Sequence, residues 1–350
     1  MTDAPETLEK PQAVRRMLLR QLFGAAVAAP LIGALRPIKG APTAPLPSWQ
    51  PPALQSPRTI DIGSDPTQSF IDLDSSTDYL IRIGPNSDGK VVRHALRLRG
   101  GRNIVLIGGY VRRSDDTPTN SSDGARTRFP GELLTVGGHS GTAYVEGLLL
   151  DTAGNYGVDG LHVGSASGGT YVFRNIHIRG ISGTTRGNHA DGVQIVGSVD
   201  ALLIDGMTVY SSYQGINIQP EFPIGLAWLR NCNSRYPDPD YRHGSANGYS
   251  FWLGDSGSNP KLKQPAHYRF ENVFVEERTH FWDESWENGS VGPPAKAPGG
   301  CRLLAGRSDQ VGFPQLQVEG YLSRGIPPGG DFCPASSIID DADRVVYRRA

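Results

Sequence analysis

Phe173-Arg174-Asn175-Ile176 and Ile204-Asp205-Gly206-Met207 are two copies of one short pattern. Five more copies share it: Val105-Leu106-Ile107-Gly108-Gly109-Tyr110, Val145-Glu146-Gly147-Leu148, Leu229-Arg230-Asn231-Cys232, Phe270-Glu271-Asn272-Val273 and Val318-Glu319-Gly320-Tyr321. With Gly109 as the first fixed position, the residue before the Gly or Asn is charged in six of the seven copies. The residues two before it and one after it are apolar in all seven. The charged residue therefore belongs outside and the apolar pair inside. Gly and Asn tolerate left-handed backbone best, so the fixed position reads as a bend between short strands. Strands this short bury an apolar face only when stacked coil on coil.

The bends lie 38, 28, 31, 25, 41 and 48 residues apart, too uneven for a leucine-rich or propeller repeat. The spacing suits an all-β chain: a single-stranded right-handed parallel β-helix of about 7–9 coils, with loops absorbing the variation. The 44 Gly and 27 Pro agree with this, and helical periodicity is nearly absent after the N-terminus.

A second strand recurs as Asp159-Gly160-Leu161-His162-Val163, Asp191-Gly192-Val193-Gln194-Ile195, Gln214-Gly215-Ile216-Asn217-Ile218 and Asn247-Gly248-Tyr249-Ser250-Phe251, with a weaker copy at Gly300-Cys301-Arg302-Leu303. From its Gly to the next bend is 15, 14 and 16 residues in the three best coils. The interval before that Gly varies more, at 13, 17, 9, 17 and 28 residues. Long loops therefore gather before one strand stack, at residues 183–189, 235–246 and 279–298. Loops on one face of a rigid solenoid are the usual place for binding.

The chain divides into an export signal (1–40), a Pro- and Ala-rich linker (41–57) and the β-helix domain (58–350). Arg15-Arg16-Met17-Leu18-Leu19-Arg20 before the apolar stretch Leu22 to Leu35 resembles a bacterial twin-arginine signal, which implies a periplasmic or secreted protein. No apolar run reaches the ~20 residues that span a bilayer. The formal net charge is −1 with both signs mixed, and no basic stripe suggests nucleic acid. Of three Cys, Cys232 sits at an inward position of the repeat, and Cys301 and Cys333 are close enough in sequence to pair.

With Leu161, Val193, Ile216 and Tyr249 inward, the outward row is His162, Gln194, Asn217 and Ser250. The Gly row beside it promises a bare floor for a ligand, and Asp159, Asp191, Gln214 and Asn247 form a third row. This strip of short hydrogen-bonding groups suits sugar hydroxyls and carboxylates; such residues also ladder along solenoids and cap turns. Parallel strands lie roughly 4.8 Å apart, so Asp159 and Asp191 are expected as near neighbours, one with a raised pKa. Such a pair can supply a general acid, or bind Ca²⁺. His189, two residues before Asp191, and Tyr213, just before Gln214, are candidates for proton transfer. Arg186 can hold a carboxylate. Gln219, His243 and Trp252 complete the candidate binding set, and Trp282 and Trp286 lie on the longest loop.

Gly187-Asn188-His189-Ala190-Asp191-Gly192-Val193-Gln194 resembles the acidic strand motifs of the pectin-lyase-like β-helix superfamily, and the resemblance extends over nearly all of residues 58–350. It is distantly similar to polygalacturonases: the first Asp of their Asn-Thr-Asp motif falls on Asp159, and one Asp of their paired-Asp motif falls on Asp191, beside Ala190. Their Gly-His-Gly and Arg-Ile-Lys motifs have no clear match. The resemblance implies a polysaccharide substrate with acidic sugars. The strip and its loops make β-elimination the leading expectation, with His189 or Tyr213 as base and Gln194, Asn217 and Arg186 on the uronate; the second expectation is hydrolysis by Asp159 and Asp191. A non-catalytic glycan-binding protein is the expectation from a different class.

Overall fold

The computed structural model describes residues 47–63, 69–83, 95–113, 131–154, 157–164, 168–183, 189–218, 223–236, 249–252, 266–276 and 316–349. Nine strands form one parallel sheet: β1 (Arg58–Ile62), β3 (Tyr79–Ile83), β5 (Ile104–Arg112), β7 (Thr142–Asp151), β9 (Thr170–Ile181), β11 (Ala201–Ser211), β13 (Ile224–Arg235), β15 (Ala266–Val275) and β16 (Leu316–Arg324). The strands between them form a second parallel sheet: β2 (Phe70–Leu73), β4 (Leu96–Gly100), β6 (Glu132–Gly137), β8 (Asp159–Gly164), β10 (Asp191–Val196), β12 (Gln214–Ile218) and β14 (Phe251–Trp252). The chain alternates between the two sheets as it climbs, which is a parallel β-helix with nine rungs in its larger sheet.

The repeat does what its residue types require. Gly108, Gly147, Asn175, Gly206, Asn231, Asn272 and Gly320 all have positive φ, between 49° and 80°. The register aligns Ile107 with Glu146 and Gly109 with Leu148. The first bend is therefore Gly108, one residue earlier than the pattern suggested. Asn also links neighbouring bends: Asn272 Nδ2 donates to Asn231 Oδ1, and Asn231 Nδ2 to Asp205 Oδ1, each at 2.9 Å. Inside, apolar residues stack in register, as in the row Leu106, Val145, Phe173, Ile204, Leu229 and Phe270. Cys232 sits between Met207 and Val273 as a buried free thiol, as its inward position implied. The last coil slips in register, so Leu322 takes the inward place opposite Val273 and Tyr321 is 59% exposed.

The outer face of the larger sheet is not bare. Residues 47–57, read from composition as a linker, lie against it. Trp49 meets Trp228 edge-on at 5.1 Å, and Leu54 packs against a cluster that includes Tyr144, Val172 and Leu203. The β-helix ends at Arg324 rather than at the C-terminus. Residues 326–349 then run back over the stack as a strap. Asp331 binds Asn233 and Arg235, Cys333 binds Thr208 and His177, and Tyr347 binds Asn175 and Glu146. Cys333 is free and buried in that strap, packed with Tyr110, Leu149, Ile338 and Ile339; Cys301 lies outside the described residues. The strap also explains Glu146, which is only 3% exposed although its place in the repeat marks it as outward.

Candidate functional site

The smaller sheet fixes the candidate residues in rows. Pairing puts His162 beside Gln194, Gln194 beside Asn217, and Asn217 beside Trp252. In the other direction His162 pairs with Thr135, and Thr135 with Arg97. The outward row is thus Arg97, Thr135, His162, Gln194, Asn217 and Trp252. Trp252 replaces the expected Ser250, which is fully buried. Ile216 pairs with Phe251, not Tyr249. Two residues back, Gln214 therefore faces Tyr249 rather than Asn247. Arg186, Gln219, His243, Asn247, Trp282 and Trp286 lie outside the described residues.

The glycines do not form a floor for a ligand. A Cβ on Gly160 would lie 2.5 Å from Ile178 Cγ2, and one on Gly192 would overlap Val209, both core residues. The row is glycine because the interior leaves it no room.

In the acidic row just before the glycines, Asp159 Oδ1 accepts the Asp191 backbone N–H at 2.8 Å. The carboxylate thus takes a place that a β8 carbonyl would otherwise fill. Asp191 Oδ2 accepts Asn217 Nδ2 at 3.1 Å. Asp159 is 7% exposed and Asp191 has no exposed surface. Burial pushes both carboxyls above the usual range, and for Asp159 the charge on Asp191 adds to it. The Asn217 and Gln194 amides work the other way and hold Asp191 at about 7. The two carboxyls are near neighbours, as stacking implied, but they serve as a buried ladder. Among the described residues no group of three or more His, Cys, Asp or Glu side chains is placed to hold a metal ion.

His189 and Tyr213 come together at the N-terminal edge of β10 and β12. His189 Nδ1 lies 3.3 Å from the Tyr213 hydroxyl, with the rings edge-to-face at 5.9 Å. His189 is exposed and Tyr213 is fully buried. Of the two, only His189 has surface to meet a substrate, and Tyr213 positions it.

Among the described residues, eight of the fifteen buried polar side-chain atoms without a hydrogen-bond partner lie on this sheet. In the outward row they are Arg97 Nε, Thr135 Oγ1, His162 Nδ1, Asn217 Oδ1 and Trp252 Nε1. In the acidic row they are Glu132 Oε2, Asp191 Oδ1 and Gln214 Oε1. Most buried polar groups in proteins are paired, so such a run stands out. Arg97, Leu98, Arg99, Thr135, Gly137, His162 and Gly164 line a cleft of about 270 Å³ at one end of it. Burial lowers the His162 pKa against the pull of Glu132, whose Oε1 is 3.7 Å away.

Arg97, Arg99, Glu132 and Thr135 were not among the sequence candidates. Their strands, β4 and β6, lack the Asp-Gly opening used to index the others. The signal that would have found them is the alternation Leu96-Arg97-Leu98-Arg99, a half-buried strand with two cations outward.

No known family model, no curated protein and no solved structure matches the chain. No helix among the described residues is long and apolar enough to cross a membrane.

Proposed function

We propose that this is an exported bacterial enzyme that binds an acidic polysaccharide along the smaller sheet and cleaves it by β-elimination. The observation that carries this reading is the His189–Tyr213 pair, set beside a run of unpaired polar groups. In the elimination, His189 takes the proton α to the uronate carboxylate, the C–O bond to the departing sugar breaks, and a carbon–carbon double bond forms. The proton then leaves with the departing oxygen. For Nε2 to act as base, Nδ1 must carry the ring proton and donate it to the Tyr213 oxygen. The Tyr213 hydroxyl, which can accept as well as donate, accommodates that tautomer. Arg186, in the sequence just before β10, would hold the carboxylate, since the Gln194 amide is engaged with Asp191. Asn217 is better suited to a sugar hydroxyl, because its amide N–H₂ is turned to Asp191 and its oxygen is the unpaired end.

Hydrolysis by Asp159 and Asp191 is the weaker reading, since Asp191 has no surface to offer a substrate. The test is to incubate the mature protein with a panel of uronic-acid polysaccharides. Ultraviolet absorbance of an unsaturated uronate and reducing ends are followed together. A rise in both supports elimination, and reducing ends alone support hydrolysis. Binding with neither leaves a glycan-binding protein, and no binding at all removes the substrate class. Location in the periplasm or medium, tracked by fractionation with and without the Arg15-Arg16 pair, tests the export reading.

A further inference from the structure

We propose that the cleft around Arg97, Arg99, Thr135 and His162 is a distal subsite. It would hold an acidic sugar unit of the same chain that His189 attacks, so that the polymer runs obliquely across the smaller sheet. This inference rests on the function proposed above.

The spacing sets the geometry. Arg97 is on β4 and His189 precedes β10, with β6 and β8 between them. Three steps at roughly 4.8 Å give about 14 Å along the axis, and His189, which precedes Gln194 of that row in the same coil, is offset by a further ~16 Å along the strand, so the two points are about 22 Å apart, or four to five sugar units of one strand spacing each. The register places Thr135 and His162 in one line between Arg97 and Gln194. A chain leaving the cleft would therefore meet polar groups before it crosses toward the strand edge at His189.

The cleft is built for a ring with one carboxylate. Arg97 Nε, Thr135 Oγ1 and His162 Nδ1 have no hydrogen-bond partner, and Thr135 is only 7% exposed. Guanidinium forks match carboxylates in geometry as well as charge. Acidic groups keep the cleft from being a general anion trap. Glu132 lies 3.8 Å from Arg97, and Asp72 stands opposite Arg99 on β2. Those carboxylates can accept sugar hydroxyls while the arginines meet the uronate.

The test is calorimetric titration of the mature chain with uronate dimers and hexamers, each with a counterpart whose carboxyls are reduced to alcohols. Wild type should bind the acidic hexamer more tightly than the reduced one. Arg97→Ala and Arg99→Ala should each weaken hexamer binding by about ten- to a hundredfold and leave the dimer unchanged. Arg99 is exposed, so Arg99→Ala keeps the fold even if Arg97→Ala does not. Equal losses for dimer and hexamer, or no loss for the hexamer in Arg99→Ala, would overturn the subsite. If wild type binds and cleaves but the arginine variants match it, only the subsite fails. If wild type binds no oligouronate, the function itself fails.

Discussion

The two sheets of this solenoid share a core but treat their outer faces differently. On the larger sheet the chain covers itself. Thr208 Oγ1 accepts the Cys333 N–H and donates to Asn233 Oδ1, while His177 bonds the Cys333 carbonyl. On the smaller sheet, Arg97 Nε, Thr135 Oγ1, His162 Nδ1, Asn217 Oδ1 and Trp252 Nε1 of the outward row have no hydrogen-bond partner among the described residues. Similar polar side chains are thus treated differently: under the strap they hold structure, and on the smaller sheet part of their hydrogen-bonding capacity stays unused.

The largest expected effect breaks the covered side. Removing residues 326–350 would expose Tyr110 and Leu149 and delete Ile338 and Ile339, at about 1.5–3 kcal/mol for each buried side chain. Urea unfolding should show a loss of ~5 kcal/mol or more, which is most of the stability of a typical domain. A loss below 1 kcal/mol would mean that the strap is only draped over the sheet. Next in size, His189→Ala should cut kcat on an acidic polysaccharide by about a hundred- to ten-thousandfold without moving the melting temperature. Full activity in that variant would remove His189 from its role.

Smaller effects separate inward from outward positions on one strand. Gly192→Ala pushes a methyl into Val209 and should cost about 1–3 kcal/mol. Gln194→Ala, two residues on and facing out, loses one hydrogen bond to Asp191 and should cost less, about 0.5–1 kcal/mol. Similar costs for both in thermal melts would contradict the assigned faces. The smallest effect is a pH dependence. The Asp191 carboxyl is raised from 3.8 to about 7 in the folded state, so that state binds its proton more tightly than the unfolded chain does. Its contribution to stability is therefore present at low pH and is lost as pH climbs from about 4 through about 7. Asp191→Asn should flatten that decline, gaining on the order of 1 kcal/mol over wild type at neutral pH. Parallel melting curves for the two proteins across that range would refute it.

Much of the fold was legible because backbone chemistry forced it. Each bend needed left-handed φ, only Gly and Asn accept that readily, and their recurrence indexed the coils. The index slipped where two candidates stood together, at Gly108-Gly109, and where a coil was irregular, at Tyr249 and Tyr321. The site was legible in part. His189 and Tyr213 could be paired because each sits just before a strand of known register. The arginines of β4 were missed because no glycine announces that strand. The strap was invisible for a different reason: Ile326-Pro327-Pro328-Gly329-Gly330 and the residues after them carry no strand or helix period, so only tertiary contact shows where they go.

A stack in which each rung touches only its neighbours tends to unzip from its ends, one coil at a time. The strap changes that. It ties Asn233 on β13, Thr208 on β11, Asn175 on β9 and Glu146 on β7 to one continuous segment. Arg349 then reaches Gln50, near the start of the described chain, at 3.1 Å. Fraying any of these coils means releasing a segment that the others still hold. The solenoid is laced along its length, and it should give way as a unit rather than peel.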